Sequence, residues 1–183
     1  SATKAVTGKD SPSTITMGTT NVTSVLDPAG AYDAGSWLVL NNTFQSLLSF
    51  PPGATVPQPE AAQSCGFTGG DAKTYECTLR SGLKFSNGDK ITAADVKYSI
   101  DRAIAIDAEG GPVGLLSTID TVETQGDREV IFHLKTADAT FPYKLSTPVA
   151  GIIDPKDYDR RKLRDGFEVD GSGPYTFKAD VEN

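Results

Sequence analysis

The clearest alternation of hydrophobic and polar positions runs through residues 75–79. Tyr75, Cys77 and Leu79 are separated by polar residues, which is the period of a strand with one buried face. The segment Asn87-Gly88-Asp89 follows, and its residue types tolerate the positive φ angles of a tight turn. The pattern therefore predicts a strand followed by a chain reversal.

Helical periodicity begins directly after this turn. Thr92 lies three residues before Asp95, a variant of the capping box in which a carboxylate also lies at the positive end of the helix. Apolar residues then recur at helical spacing, namely Val96, Ile100, Ala103 and Ile104. An amphipathic helix with Thr92 as its N-cap is therefore predicted.

Weaker patterns predict the remaining elements. Residues 119–124 and 129–135 flank Gly126-Asp127 and read as the two strands of a β-hairpin. We also expect a flexible start at 1–13, a strand at 14–19, a loop at 21–33, helices at 37–48 and 141–145, an extended stretch at 147–150, a charged helix or turn at 157–164, and a last strand at 175–179.

These elements define an α+β protein with antiparallel hairpins and few helices. Strands and helices do not alternate as they do in βαβ units, so the pattern gives no support to a doubly wound nucleotide-binding sheet. The chain has 183 residues, which is enough for one domain or two small ones with a real core.

Charge excludes some classes of partner. The net charge is −7, whereas nucleic-acid binding needs clustered Lys and Arg, and docking to an anionic membrane needs a basic patch. No apolar run approaches the roughly 20 residues that span a bilayer, and residues 1–13 lack the apolar region of a signal peptide. A mature protein also lacks a signal peptide, so this does not indicate the cytoplasm.

Cys65 and Cys77 are the two cysteines and flank a glycine-rich loop. A disulfide between them is the preferred interpretation, worth about 3 kcal/mol in the chain-entropy model, and it implies an oxidising, extracytoplasmic compartment. Two free thiols or half of a metal site remain alternatives. Structural zinc needs four ligands, and His133 is the sole histidine, which weakens the metal alternative.

Catalytic machinery is not visible in the sequence. His133 lies in the middle of a predicted strand, where a structural histidine is the better interpretation. There is neither a GxSxG elbow nor a GxxxxGK[ST] phosphate loop. Asp154, Asp157 and Asp159 do not have the spacing of a calcium loop, and basic neighbours would repel a cation. We expect no enzyme, no cofactor and no bound metal.

Three sequence segments carry a resemblance to a known family. Residues 79–102 read LRSGLKFSNGDKITAADVKYSIDR, Leu26-Asp27-Pro28 reads LDP, and Gly171–Tyr175 reads GSGPY. In this order they resemble the family 5 extracellular solute-binding proteins, the peptide and nickel receptors of ABC importers. The likeness covers most of the chain from Thr14 onward.

The resemblance implies a fold and a domain division. The fold would be the N-terminal lobe of a periplasmic-binding-protein-like structure (type II, cluster C), with a small inserted α+β domain. Residues 14–45 and 165–183 would belong to lobe I, and residues 46–164 would form the inserted subdomain. Family members are much longer, so we expect the second lobe after Asn183 and only half of a cleft here.

The implied function is the capture of oligopeptides outside the cytoplasmic membrane, by closure of two lobes that then present the ligand to an ABC permease. A lipid anchor is implied for the full-length form. Another small solute, such as a nickel complex, haem or a sugar, is the alternative, and an extracellular interaction module is a third.

The resemblance also places residues at the ligand. These are Asn21, Val22, Thr23 and Ser24 at the cleft edge, Gly111, Pro112, Val113, Gly114 and Leu115 in a loop from the smaller domain, Thr147, Pro148 and Val149 near the cleft floor, and Tyr32 and Trp37 as apolar walls. Core packing is the preferred interpretation for Trp37. A half-site lacks enclosure, so we expect weak or undetectable peptide binding by this chain alone.

Overall fold

The computed structural model describes residues 19–21 and 23–177. Its helices and strands follow one another as α1 Ala34–Thr43, β1 Leu48–Ser49, β2 Gln58–Pro59, β3 Ala62–Thr68, β4 Thr74–Leu79, α2 Ala93–Ile106, β5 Ile119–Gln125, β6 Glu129–Leu134 and α3 Phe141–Leu145. Two 3₁₀ helices, Pro112–Leu116 and Pro148–Ala150, come before β5 and after α3. The strand expected at 14–19 lies outside the described residues except for Thr19.

The main sheet is antiparallel and has four strands in the order β3-β4-β6-β5. The predicted strand at 75–79 and the predicted hairpin of β5 and β6 are confirmed. Gly126 has a φ of 61° between β5 and β6, a conformation that glycine adopts without strain. The strand β3 was not predicted, because its sequence AQSCGFT has no regular alternation.

Helix α2 begins as predicted. The Thr92 N–H donates to Asp95 Oδ2 over 2.8 Å, which is the reciprocal contact of a capping box. The side chains of Val96, Ile100 and Ala103 are buried, and the helix packs against β5 and β6. Ile104 was predicted on the same face but is 38% exposed, because it lies at the edge of the apolar stripe.

The first helix lies several residues earlier than predicted. Asp33 is its N-cap, with Oδ1 accepting from the Ser36 N–H over 2.8 Å, so α1 begins at Ala34 rather than at Trp37. The helix ends at Thr43 because Phe44 is extended, and Leu48 then pairs with Pro59 in a short two-stranded sheet. The apolar residues at 44–48 are buried, but not on a helix.

One further expectation was wrong, and another lies partly outside the described residues. Pro148–Ala150 is a 3₁₀ helix rather than extended chain, and only Thr147, which precedes a proline, has the extended angles expected of it. The final strand is not seen in the part of 175–179 that the structure describes, which ends at Phe177. The short helix Phe141–Leu145 is present as predicted.

The buried apolar residues form two clusters. The larger lies between the sheet, α2 and α3, and contains Tyr75, Phe132 and Phe141, whose rings meet edge to face with centroids 5.2–5.6 Å apart. The smaller cluster contains Leu26, Leu40, Phe44, Tyr158 and Val169 among its buried members. The division into residues 14–45 with 165–183 and residues 46–164 stays a prediction.

Cys65 and Cys77 form a disulfide between directly opposed positions of β3 and β4, with Cα atoms 4.1 Å apart. Cys77 is buried in the larger cluster, and Cys65 packs against it. The bond fastens β3, which is an edge strand with mostly exposed residues, to the interior of the sheet. Of the described helices, none is long and apolar enough to cross a membrane.

Candidate ligand-binding face

The loop Leu26-Asp27-Pro28 is held by a buried ion pair. Arg102 on α2 donates from Nη1 to Asp27 Oδ1 over 2.8 Å and from Nη2 to Asp27 Oδ2 over 2.6 Å. The two side chains are 1% and 0% exposed. A two-point contact between a guanidinium and a carboxylate fixes both groups in orientation as well as distance.

Further contacts extend this pair into a network that we call the ionic clamp, formed by Asp27, Arg102, Tyr158 and Arg164. The Ala29 N–H and the Arg164 N–H donate to Asp27 over 2.9 and 2.8 Å. The guanidinium groups of Arg102 and Arg164 lie 5.2 and 5.1 Å from the centre of the Tyr158 ring. The clamp therefore joins the first loop, α2 and the segment after residue 157.

The Leu26-Asp27-Pro28 loop and the last arginine of the 79–102 run each belong to a segment that carries the family resemblance. No contact between the two was predicted. The two residues are 75 positions apart, so no local period connects them. Burial of Tyr158 was missed as well, since the segment 157–164 was expected at the surface because of its charges.

The segment Gly171-Ser172-Gly173, which we call the return segment, packs directly on the end of α1. The Gly173 N–H donates to Thr43 O over 2.8 Å, and the Ser172 hydroxyl accepts from the Gln45 N–H and donates to Ile152 O. A Cβ at Gly171 would lie 1.8 Å from Thr43 O, so only glycine fits there. The glycines of the GSGPY motif thus allow its backbone to approach the backbone of Thr43 closely.

Polar and aromatic side chains meet at the N-terminal end of α1, at a place we call the aromatic corner: Ser24, Tyr32, Asp33, Ser36 and Trp37. Ser24 Oγ donates to Asp33 Oδ2 over 2.5 Å, and the Ser24 N–H donates to Ser36 Oγ. The ring of Tyr32 meets that of Trp37 edge to face at 5.6 Å, and Tyr32 is 56% exposed. An exposed aromatic ring beside hydroxyl groups suits contact with a small solute.

The carboxyl group of Asp33 is kept ionised at this corner. Burial alone would raise its pKa, but hydrogen bonds from Ser24 and Ser36 outweigh burial and place the pKa below its ordinary value of 3.8. Trp37 is half-buried, and its Nε1–H donates to Ala31 O over 2.8 Å. Trp37 therefore has a packing role, which is the interpretation preferred from the sequence. Its neighbour Tyr32, by contrast, is exposed.

The second of the three segments predicted to contact a ligand, residues 111–115, lies in the 3₁₀ helix Pro112–Leu116, with Gly111 before it. Pro112 is buried, Val113 is half-buried and Gly114 is exposed. A shallow concavity of about 260 Å³ lies between this helix, the end of α2 and the start of β5. Val113 and the backbone of Gly114 are therefore accessible in this segment, whereas Pro112 is not.

The third predicted segment is partly inaccessible. Pro148 and Val149 are buried, whereas Thr147 is half-buried and its carbonyl oxygen lies 3.4 Å from Ser46 Oγ. The 3₁₀ helix Pro148–Ala150 contacts both α1 and the 3₁₀ helix Pro112–Leu116. The structure therefore brings the second and third segments together, and the third also adjoins α1.

Of the first predicted segment, Asn21 and Ser24 are exposed and Thr23 is half-buried, while Val22 lies outside the described residues. Ser24 and Tyr32 belong to the aromatic corner, at the opposite end of α1 from the Thr43 contact with Gly173. The role of these residues in binding a ligand stays a prediction.

Other groups singled out in the sequence have structural partners. His133 Nε2 lies 2.8 Å from Glu123 Oε2 on the open face of the sheet. Asp154 accepts hydrogen bonds from Asn87 Nδ2 and from the Lys156 N–H. Within the described part of the chain, no group of three or more potential ligands is placed to hold a metal ion.

Comparison with known proteins gives a consistent result. The family described as "Bacterial extracellular solute-binding proteins, family 5 Middle" matches residues 56–183. A glutathione-binding protein, GsiB of Pectobacterium atrosepticum, is 33% identical over 154 residues, which are 84% of this chain and 30% of that protein. A dipeptide-binding protein of Lactococcus lactis is 32% identical over 128 residues, covering 60% of this chain and 23% of that protein.

A solved structure shares the fold. The PBP AgaA from A. tumefaciens R10, in complex with agropinic acid, matches with a TM-score of 0.73 and 26% identity over 86% of this chain and 32% of its own length. The fold is thus that of a periplasmic-binding-protein-like α+β lobe. The chain belongs to the family 5 bacterial extracellular solute-binding proteins, a family of receptors for solutes. It spans about a third or less of the length of the proteins compared.

Proposed function

We propose that this chain is one jaw of an extracytoplasmic receptor that captures oligopeptides for an ABC importer. The observation that carries the proposal is the family match over residues 56–183, together with 33% identity to a glutathione-binding protein. The likeness to a dipeptide-binding protein supports the same class of ligand. A second lobe, supplied by chain that is not described here, would close over the ligand.

The aromatic corner would contact the ligand first. Ser24 and the neighbouring backbone would exchange hydrogen bonds with the main chain of the peptide, which all peptides share, and the exposed ring of Tyr32 would cover an apolar side chain. Val113 and Gly114 would contribute from the 3₁₀ helix Pro112–Leu116, and Thr147 from its position directly before the 3₁₀ helix Pro148–Ala150. The ionic clamp would keep the Leu26-Asp27-Pro28 loop in place, and with it the start of α1.

A small solute other than a peptide is the second candidate. The specific observation in its favour is that AgaA, with the same fold, holds agropinic acid. Nickel complexes, haem and sugars fall within this candidate, because the side chains that would select among them come from both lobes.

The disulfide Cys65–Cys77 supports a location outside the cytoplasm, where disulfides persist. We therefore place the receptor in the periplasm or at the cell surface. A lipid anchor in the full-length form is part of this proposal.

The sole tryptophan provides a direct test, because Trp37 lies next to Tyr32. Its emission would be followed while the chain is titrated with a short peptide free of aromatic residues, with glutathione, and with free amino acids as a control. We expect a saturable change with the peptide or glutathione at millimolar concentration, since this chain would supply only one side of the proposed cleft.

A pair of matched variants sharpens the test. Tyr32→Ala should reduce the change, whereas Tyr143→Ala, which also removes an exposed tyrosine, should leave it intact. Micromolar affinity would contradict the proposal that this chain supplies only one side of the cleft. The absence of a saturable response to any peptide would contradict the proposal that the ligand is a peptide.

A further inference from the structure

A cluster of positive charge lies at the surface of this acidic protein. Arg160, Arg161 and Lys162 are consecutive and exposed, while the net charge is −7. Across the described residues, the side chains of Arg160 and Arg161 form no ion pair or hydrogen bond, and Lys162 meets only the exposed Asp165, at 3.6 Å. The two guanidinium groups are therefore free to bind another molecule.

The backbone of this segment is held from inside the protein. The buried Arg102 donates from Nε to Asp159 O over 2.6 Å and from Nη2 to Lys162 O over 2.8 Å. One side chain thus binds both ends of the segment 159–162, which we call the basic turn. The Arg161 N–H also donates to Asp159 Oδ1 over 2.8 Å, which closes the turn.

The chain that follows the basic turn is fixed as well. Leu163 packs against Gly30, where a Cβ would lie 3.0 Å from both methyl groups, and the Arg164 N–H donates to Asp27 Oδ2. Because the turn is fastened at both ends to the ionic clamp, its shape is set before any partner arrives. Binding then costs less conformational entropy than it would for a flexible loop.

We propose that the basic turn is a docking site for an acidic segment of a protein partner. A guanidinium matches a carboxylate with two parallel hydrogen bonds, and two neighbouring arginines can hold two carboxylates of one segment. The turn shares no residue with the aromatic corner, and the proposal does not rest on the proposed function.

An acidic segment fits the charge distribution better than a membrane does. An anionic membrane faces a whole side of the molecule, so the excess negative charge opposes its approach. A short acidic segment would contact the turn, where the three basic side chains outnumber the one carboxylate, Asp159, whose Oδ1 accepts from the Arg161 N–H. Repulsion from charges farther than about 10 Å is screened by salt at about 0.1 M.

The test uses fluorescence anisotropy of labelled hexaglutamate, with hexaglutamine as the neutral control peptide. We expect hexaglutamate to bind at low ionic strength and to be released by added salt, and hexaglutamine not to bind. Equal binding of the two peptides, or no binding of hexaglutamate at low ionic strength, would overturn the proposal.

Two double variants assign the effect to the turn. Arg160→Gln with Arg161→Gln should weaken hexaglutamate binding about tenfold, since both charge-assisted contacts are lost. Lys73→Gln with Lys135→Gln removes the same charge at two other exposed positions and should weaken it less than about twofold. Equal weakening by both pairs would mean attraction by overall charge and would overturn the site.

Vesicles of neutral lipid with and without phosphatidylglycerol provide the last arm. We expect no difference in sedimentation of the protein with the two kinds of vesicle. Arginine-dependent binding to the anionic vesicles, stronger than binding to hexaglutamate, would replace the acidic segment with a membrane as the partner.

Discussion

The two buried clusters of this molecule are held together in different ways. The larger, between the sheet, α2 and α3, relies on apolar side chains, aromatic rings that meet edge to face and one disulfide. The smaller includes Tyr158 and so adjoins the ionic clamp, in which one aspartate accepts from a guanidinium and from two backbone N–H groups. The first kind of packing tolerates apolar substitutions that conserve volume, whereas the second leaves a buried charge without a partner when one member is lost.

The difference has a consequence for function. The ionic clamp determines where the Leu26-Asp27-Pro28 loop and the basic turn lie. The larger cluster includes residues of both 3₁₀ helices, of which Pro148–Ala150 also contacts α1. Disturbing one cluster should therefore affect one set of surface segments more than the other.

Arg102→Ala should lower the free energy of unfolding by about 3–5 kcal/mol, because Asp27 would remain buried without its cation. Urea denaturation followed by circular dichroism measures this. Arg128→Ala is the matched control on the sheet side, where the guanidinium donates to Leu79 O and to Gln63, and should cost about 1 kcal/mol. Similar losses in both variants would contradict the special role of the clamp.

Replacing both cysteines, Cys65→Ala with Cys77→Ala, should cost about 3 kcal/mol, because the unfolded chain regains the freedom of a loop closed across 12 positions. Hydrogen exchange should show faster exchange in β3 and β4. The amides at the Gly173–Thr43 contact should keep their protection relative to the rest, and a loss there as large as in β3 would contradict separate support of the two clusters.

Gly171→Ala should destabilise the protein by about 2 kcal/mol, since the added methyl group overlaps Thr43 O and the return segment must move. Gly66→Ala on β3 is the matched control. Its Cβ would meet nothing within 4 Å, so it should be neutral or slightly stabilising. Thermal unfolding of both variants provides the comparison, and equal melting temperatures would count against the tight contact.

The carboxyl group of Asp138 links the sheet cluster to pH. Burial would raise its pKa, but hydrogen bonds from Lys144, Thr140 and Thr118 outweigh burial and lower it from 3.8 to about 2. Because the pKa of Asp138 is lower in the folded state, its ionised carboxylate stabilises the fold by about 2 kcal/mol at pH values above 3.8. This stabilisation is lost as the pH falls through about 2.

Asp138→Asn should therefore be less stable than the parent at neutral pH by about that amount, and the two should converge as the pH falls toward 2. Urea midpoints measured over this range show the convergence. A gap that stays constant across the acid range would indicate that the charge of Asp138 is not what stabilises the contact.

Local signals account for what the sequence predicted of the fold. The alternation through Tyr75 and Cys77, the spacing of Thr92 and Asp95, and Gly126 between two strands each act within a few residues, and each was confirmed. The start of α1 was missed because Trp37 and its apolar neighbours outweighed Asp33, whose capping role depends on Ser36.

Contacts between distant parts of the chain could not be predicted in this way. Asp27 and Arg102 are far apart in sequence and look like ordinary surface charges, and the burial of Tyr158 follows only from their pairing. For the candidate site, the family resemblance indicated segments but not exposure, so it did not distinguish the accessible Ser24 and Gly114 from the buried Pro148 and Val149.

The most direct test of the central claim, that this chain provides a ligand-contacting jaw, is a map of amide chemical shifts during titration with a short peptide. The account predicts shifts concentrated at Ser24 and Tyr32, at Gly111–Leu115 and at Thr147, with little change in β3 or near His133. Shifts confined to the open face of the sheet, or none at saturating peptide, would contradict it.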